Sequence, residues 1–293
     1  MKVLVTGAAG MLGTDLCVEL AGRGHDVVAT DTREGFVPLD ITDTKQTRAR
    51  IAETRPDAIL HCAAWTNVDG AERTPDPAYK VNALGSWNVA AAAADVDAWM
   101  VCVSTDFVFD GRKGAPYTEF DRTNPLGAYG ASKEAGEQLV RQTLPQRHMI
   151  ARTSWLFGVH GNPFPYTILR LARKLPEVPV VADQVGCPTH TQDLSRKLAD
   201  LIEDPLPGTY HVCNAGQCSW FEFAQAIVGA AGLSTPVVPI TAAEFAAKFN
   251  SPTRRPAYSP MRRFALEMRG MDDLPSWQDA LAEFLALTPD DRK

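Results

Sequence analysis

A chain of 293 residues is long enough to bury a core and to carry a second lobe beside a first. Lys plus Arg number 29 against 35 Asp plus Glu, a net charge of −6. With no basic run, that balance argues against nucleic acid as the main partner, though not against a nucleotide, which needs only a local positive site.

No apolar run approaches the roughly twenty residues of a membrane span. The chain enters a strand at Lys2 without the n-region, h-region and cleavage order of a secretory signal. No membrane partner and a cytoplasmic location are expected. The six cysteines, Cys17, Cys62, Cys102, Cys187, Cys213 and Cys218, match no zinc spacing and no Cys-x-x-Cys pair, so they read as reduced packing residues and no metal is expected.

Lys2 to Thr6 reads as a strand. Gly7, Gly10 and Gly13 follow at Gly-x-x-Gly-x-x-Gly spacing, then a helix with Leu12, Leu16 and Leu20 on one face, ending near Gly22 to Gly24. A second strand, Asp26 to Thr30, ends at Asp31. Strand, Gly-rich turn, helix, strand is the unit that sets a pyrophosphate on a helix N-terminus. Asp31 suits a ribose 2′-OH and hence NADH, whereas Arg33 suits a 2′-phosphate and hence NADPH, so both cofactors stay open. Asp40 and Ile41 follow, with Asp40 readable as an adenine neighbour or as an Asx turn or cap for the helix Asp43 to Thr54.

Asp57 to Ala63 is a buried strand in which His61 reads as a satisfied core histidine. Asp69 to Asp95 reads as largely helical. Trp99 to Val103 is a strand that delivers Ser104, Thr105 and Asp106 at its C-terminal end, where ligands sit in open α/β sheets. A helix runs from near Tyr129 to about Thr143 and puts Tyr129 and Lys133 on one face. Gln146 to Thr153 is a further strand.

Beyond Trp155 the pattern loosens. A helix at Thr167 to Lys174, a strand at Val178 to Ala182, a helix at Thr189 to Glu203, a strand at Gly208 to Asn214, a capped helix from Ser219 and a helix at Trp277 to Leu287 are expected. Thr253 to Pro260 is a basic, Pro-rich segment, readable as a diphosphate holder or as a solvated linker. Alternating strands and helices predict an α/β fold, a doubly wound parallel sheet of Rossmann type with a smaller C-terminal α+β substrate lobe. Residues 1–155, with a returning segment at about 185–205, form the NAD(P)-binding domain. Residues 156–184 and 206–293 form the smaller lobe.

The chemistry concentrates in Thr105, Tyr129 and Lys133. An ammonium one helical turn from a phenol is expected to favour the phenolate and lower its pKa from near 10. A carbonyl held between Thr105 and Tyr129 would be polarised, protonated by Tyr129 and attacked by hydride.

Blocks at 63–72, 104–111, 129–133, 152–158, 183–189, 210–216 and 255–259, in order along the chain, resemble the extended short-chain dehydrogenase/reductase family and, within it, the dTDP-4-dehydrorhamnose reductases. The resemblance implies an NADPH- or NADH-dependent reduction of a dTDP-linked keto-deoxysugar. It implies that Gly10, Met11 and Leu12 carry the pyrophosphate, that Asp40 and Ile41 flank the adenine, and that Ala63, Ala64 and Trp65 line the cofactor cleft. Tyr129 would donate the proton, Lys133 would hold the nicotinamide ribose, Thr105 would tune Tyr129, and Thr105, Asp106 and Trp155 would contact the sugar. Phe107 stands where the family commonly has Tyr. Asp15 and Gln192 stand where some members hold a bridging metal on acidic residues, so a homodimer is allowed but a metal bridge is not expected. Among related activities, a dehydratase would need Thr-Asp-Glu where this chain has Thr105-Asp106-Phe107. A reductase of other C4 stereochemistry and a non-catalytic NADP-binding subunit of methionine adenosyltransferase stay open.

Overall fold

The computed structural model describes residues 1–289. Its frame is an all-parallel sheet, seven-stranded among those residues, built from β1 (Lys2–Thr6), β2 (Asp26–Asp31), β3 (Val37–Pro38), β4 (Ala58–His61), β5 (Trp99–Thr105), β6 (His148–Thr153) and the strand Gly208–His211. The spatial order runs from Gly208–His211 through β6, β5, β4, β1 and β2 to β3. The chain steps outward from β1 to β2 and β3, then crosses back to β4. The crevice beyond the C-terminal ends of β1 and β4 is therefore the point where the winding reverses, which is where ligands bind in such sheets.

The strands read as unbroken apolar runs because both faces are covered. Alternate side chains enter opposite cores. Val3 and Val5 of β1 join Leu60 and Val101 under α1 (Met11–Gly22) and the helix Thr191–Glu203, against Leu12, Leu16, Leu20, Leu194 and Leu198. Leu4, Ile59, Met100 and Ile150 face the other way, under α2 (Thr44–Thr54) and the helices Ser86–Asp95 and Ala128–Thr143. A third core around Phe157, Phe223 and Phe284 joins the helices Phe164–Lys174, Trp220–Ala230 and Trp277–Leu287 of the smaller lobe. Burying each such ring is worth about 1.5–3 kcal/mol.

Three expectations change. The strand at Gly208, expected in the smaller lobe, pairs in parallel as Gly208–His211 with Met149, Ile150, Ala151 and Arg152, so the main sheet reclaims the chain beyond residue 205. The helical stretch of 69–95 is broken into Val68–Arg73, Pro75–Tyr79, a π-helical Lys80–Gly85 and Ser86–Asp95. The prolines at 75 and 77 lack the N–H a continuous helix needs. In the π turn, the carbonyl of Asn82 lies against Gly136, where a Cβ would collide with it, and accepts the Ser86 hydroxyl at 2.7 Å. The third change is an addition, a short parallel pair of Val178–Val181 with Val237–Ile240 followed by the helix Ala242–Phe249. No helix of the described residues is long and apolar enough to cross a membrane.

Candidate active site

One cleft of about 690 Å³ opens over the C-terminal ends of β1, β4 and β5. Its nucleotide end is shaped by glycine. Gly7 adopts φ +69°, and a Cβ there would lie 2.7 Å from the backbone nitrogen of Ala63. Gly13 lies so close to the carbonyl of Gly7 that a methyl group cannot enter. The turn is thus drawn tight between β1 and β4, as close approach of backbone to a diphosphate requires. Gly10 caps α1 without any side-chain hydrogen bond, so no side chain competes for the first-turn N–H groups beside Met11 and Leu12. That is a fit for an anion.

Asp31 and Arg33 are fastened to this same turn. The Asp31 carboxylate accepts Ala9 N–H at 3.1 Å and Arg33 N–H at 3.1 Å, and the Arg33 guanidinium donates to the Ala9 carbonyl at 3.0 Å. Asp40 forms the Asx turn, accepting Thr42 N–H at 2.9 Å and its hydroxyl at 2.8 Å, while Asp43 is the cap of α2. Asp40 and Ile41 nevertheless line the cleft, as do Ala63 and Ala64. Trp65 stands apart from the lining. Its backbone N–H is held by Asn82 at 2.8 Å and its indole N–H by the Asn67 carbonyl at 3.1 Å, and Thr66 faces the cleft instead.

The reaction end collects Thr105, Asp106, Phe107, Tyr129 and Lys133. The Thr105 hydroxyl donates to Asp106 at 3.2 Å and accepts Phe107 N–H at 3.2 Å. Phe107 meets the Tyr129 ring edge-on, 5.5 Å between centroids. Burial pushes the Tyr129 phenol up to about 12, the hydrogen bond of Thr105 pulls it down, and the charge of Asp106 pushes it up. The expected lowering by Lys133 is corrected, since the Lys133 ammonium donates to the Val103 carbonyl at 2.7 Å and burial governs the phenol. The phenol keeps its proton at neutral pH, which suits a donor. Burial also pushes Asp106 up to about 6, against the hydrogen bonds of Ser259 and Thr105.

His61 is a neutral strut, held near 3 by burial and by the nearby Lys133 charge. The Ser86 hydroxyl is committed to the Asn82 carbonyl, so Nε2 of His61 donates to Ser86 at 3.0 Å and Nδ1 accepts from Thr6 at 2.8 Å.

Trp155 borders the far end with its backbone in the left-handed region, φ +48°. Its indole lies flat on Trp220, centroids 3.5 Å apart and planes 7° apart, and against Gly186, where a Cβ would sit 2.5 Å from the ring. Trp220 is a lining residue that sequence reasoning missed. The first residue of a capped helix in an apolar stretch reads by default as core.

His190, Asp193 and Glu283 place one ligand atom each within 4.8 Å of one another, away from this cleft. The Arg196 guanidinium already bridges Asp193 at 3.0 Å and Glu283 at 2.9 Å, so a cation is supplied by the chain itself. All six thiols are free, and four are buried.

Known proteins resemble this chain along nearly its whole length. Residues 1–288 match the family described as RmlD substrate binding domain. The chain is 40% identical over 284 residues to the spore coat polysaccharide biosynthesis protein SpsK of Bacillus subtilis, covering 97% of this chain and 96% of that one. It is 38% identical to a dTDP-4-keto-6-deoxy-D-glucose reductase of Streptomyces niveus, covering 97% and 96%. The solved dTDP-4-dehydrorhamnose reductase of Bacillus anthracis, in complex with NADP, superposes with a TM-score of 0.91 at 43% identity over 98% of this chain and 99% of that one. The chain is a member of the RmlD family, the family of the dTDP-4-dehydrorhamnose reductases within the extended short-chain dehydrogenase/reductases.

Proposed function

We propose that the protein uses NADPH or NADH to reduce the C4 keto group of dTDP-4-dehydro-L-rhamnose to dTDP-L-rhamnose, with the proton coming from Tyr129. The observation that carries this reading is the single cleft joining the Gly7–Gly13 turn to Thr105, Tyr129 and Lys133. A nicotinamide cofactor, when bound, supplies the hydride and becomes positively charged in giving it. Gly10, Met11 and Leu12 would hold its diphosphate, and Asp40, Ile41, Ala63 and Ala64 its adenosine side.

The rest is done by side chains. The uncharged phenol of Tyr129 hydrogen-bonds the keto oxygen and gives it a proton as the alkoxide forms. Thr105 stands against the phenol oxygen and fixes its place. Lys133, moored to Val103, lies where its ammonium can hold a ribose hydroxyl. Asp106 and the Trp155 indole bound the sugar. Proton transfer of this kind is worth about 10²–10⁴-fold in rate.

A second reading, a dTDP-4-keto-6-deoxysugar reductase giving another C4 configuration or acting on the D-gluco sugar, is favoured by the 38% relative from Streptomyces niveus. The test is NADPH and NADH oxidation with dTDP-4-dehydro-L-rhamnose made in situ, wild type beside Tyr129→Phe, with product NMR at C4. The expected result is turnover that Tyr129→Phe lowers at least about a hundredfold while cofactor affinity is kept. Absence of turnover with both cofactors would sink the assignment. Turnover with the dTDP-4-keto-6-deoxy-D-glucose isomer alone would favour the second reading.

A further inference from the structure

The stretch Arg255 to Ser259 reaches the reaction end through one buried hydroxyl. It passes behind the site. Ser259 is 1% exposed, and its hydroxyl donates to the second oxygen of the Asp106 carboxylate at 2.6 Å, across 153 residues of sequence. The first oxygen of that carboxylate accepts the Thr105 hydroxyl. The backbone around Ser259 is stitched to Val185, with Ser259 N–H to the Val185 carbonyl at 2.9 Å and Val185 N–H to the Ala257 carbonyl at 2.9 Å. Gly186, the next residue, is the shelf on which the Trp155 indole rests. One short segment thus touches both walls of the sugar end.

We propose that Ser259 is a positioning residue for the reduction: its hydroxyl fixes the Asp106 carboxylate, Asp106 in turn holds the Thr105 hydroxyl, and Thr105 is thereby aligned with Tyr129. The inference rests on the reading of the cleft as a keto-sugar reductase site. A carboxylate is an acceptor only, so with both oxygens occupied by Ser259 and Thr105 it has one orientation. Thr105 is thereby kept beside the Tyr129 phenol, whose own proton stays directed at the keto oxygen. Without Ser259 the carboxylate is free to turn, and Thr105 loses its fixed direction.

Ser259 also favours the charged form of Asp106. The groups packed against that carboxylate are Thr105 and the Phe107 N–H from the strand end, Ser259 from the C-terminal segment and, as the titratable neighbour, Tyr129 from the Ala128–Thr143 helix. Protonation of Asp106 turns an acceptor into a donor and releases Thr105, so activity declines on the acid side. Loss of Ser259 moves that decline to higher pH.

The experiment compares wild type, Ser259→Ala, Ser259→Thr and Ser259→Val in steady-state assays with the dTDP-4-keto-sugar, from about pH 5 to about pH 9, with NADPH affinity measured by fluorescence alongside. Ser259→Ala is expected to lose roughly tenfold to a hundredfold in kcat/KM for the sugar nucleotide, the span of a hydrogen bond to a charged group. NADPH affinity should be unchanged, and the acid limb should move up. The Thr and Val variants have nearly equal volume and differ in the hydroxyl, so they decide the matter even if Ser259→Ala does not fold. Thr should recover most of the activity and the wild-type acid limb, and Val should not. Equal behaviour of Thr and Val, or a Ser259→Ala enzyme with wild-type kcat/KM and acid limb, would overturn the inference while leaving the reductase reading intact. A wild type that turns over no dTDP-4-keto-sugar would overturn both.

Discussion

Arg152→Met tests the support beneath the strand that carries Thr105. Arg152 and Glu137 are 3% and 0% exposed and form a two-pronged pair, with Nε to Oε1 at 2.9 Å and Nη2 to Oε2 at 2.7 Å. Glu137 also accepts Arg141 at 2.7 Å and the Ser104 hydroxyl at 2.6 Å, and Ser104 immediately precedes Thr105. Burial would raise the Glu137 carboxyl, but the Arg152 contact, the charges of Arg152 and Arg141 and the Ser104 hydroxyl outweigh it and hold it at about 2. Replacing Arg152 by Met keeps the volume and leaves a buried carboxylate with only the partly exposed Arg141 as counter-charge. Breaking such a pair costs about 3–5 kcal/mol. With an unfolding entropy of roughly 2.1 cal/mol/K per residue over a chain of this length, Tm falls by about 5–8 °C. A Glu137→Leu, Arg152→Met double variant should regain much of that loss, because neither charge is then stranded.

The pH dependence follows from the sign of the shift. The Glu137 carboxyl is depressed in the folded state, so its stabilising contribution is present above the unfolded carboxylate value of 4.5 and is lost as pH falls through about 2. In Arg152→Met the carboxylate takes a proton at higher pH, so the Tm gap to wild type narrows on acidification from neutral pH. Thermal melts by near-UV circular dichroism at several pH values make the measurement. A single variant within about 1 kcal/mol of wild type, or a double variant no better than the single, would refute the reasoning.

Asp106→Asn should lower activity and raise stability. Its carboxyl is raised in the folded protein to about 6, so the wild type loses stability as pH rises through that value, and the Asn variant gains at most about 3 kcal/mol at pH 8 and nothing below about pH 4 in melts. Gly13→Ala would drive a methyl into the Gly7 carbonyl, and titration with NADPH should show affinity reduced at least about tenfold, a loss of some 1.4 kcal/mol. Arg33→Ala should raise KM for NADPH more than for NADH, because its guanidinium stands on the Gly-rich turn beside Asp31, and an equal change for both cofactors would remove Arg33 from the discrimination.

The nucleotide half was legible because its signals are local. Tight glycine spacing, a β-branched apolar run before it and an acid at the end of the next strand all fall within one βαβ unit, and the structure brings Gly7, Gly13 and Asp31 together around one turn. Tyr129 and Lys133 were legible as a helical pair. What Lys133 donates to was not, because the Val103 carbonyl is supplied by a strand some thirty residues away. The same holds for Gly208–His211, whose short alternating run suits any sheet until β6 offers it an edge. Trp220 and Ser259 were missed for a related reason. Their contacts with Trp155 and Asp106 span long stretches of sequence, and no periodicity carries that information. The break at Lys80–Gly85 reflects tertiary fit overriding local propensity, with Gly136 admitting the carbonyl of Asn82.

The stacked indoles of Trp155 and Trp220 give the molecule an optical signature. Two indoles stacked 3.5 Å apart couple their excited states, so their emission should be quenched relative to isolated tryptophans. One ring follows the end of β6 and the other opens a helix of the smaller lobe. Any ligand that slides between them or draws the lobes apart would brighten the emission. The site therefore carries its own spectroscopic ruler, read without a label.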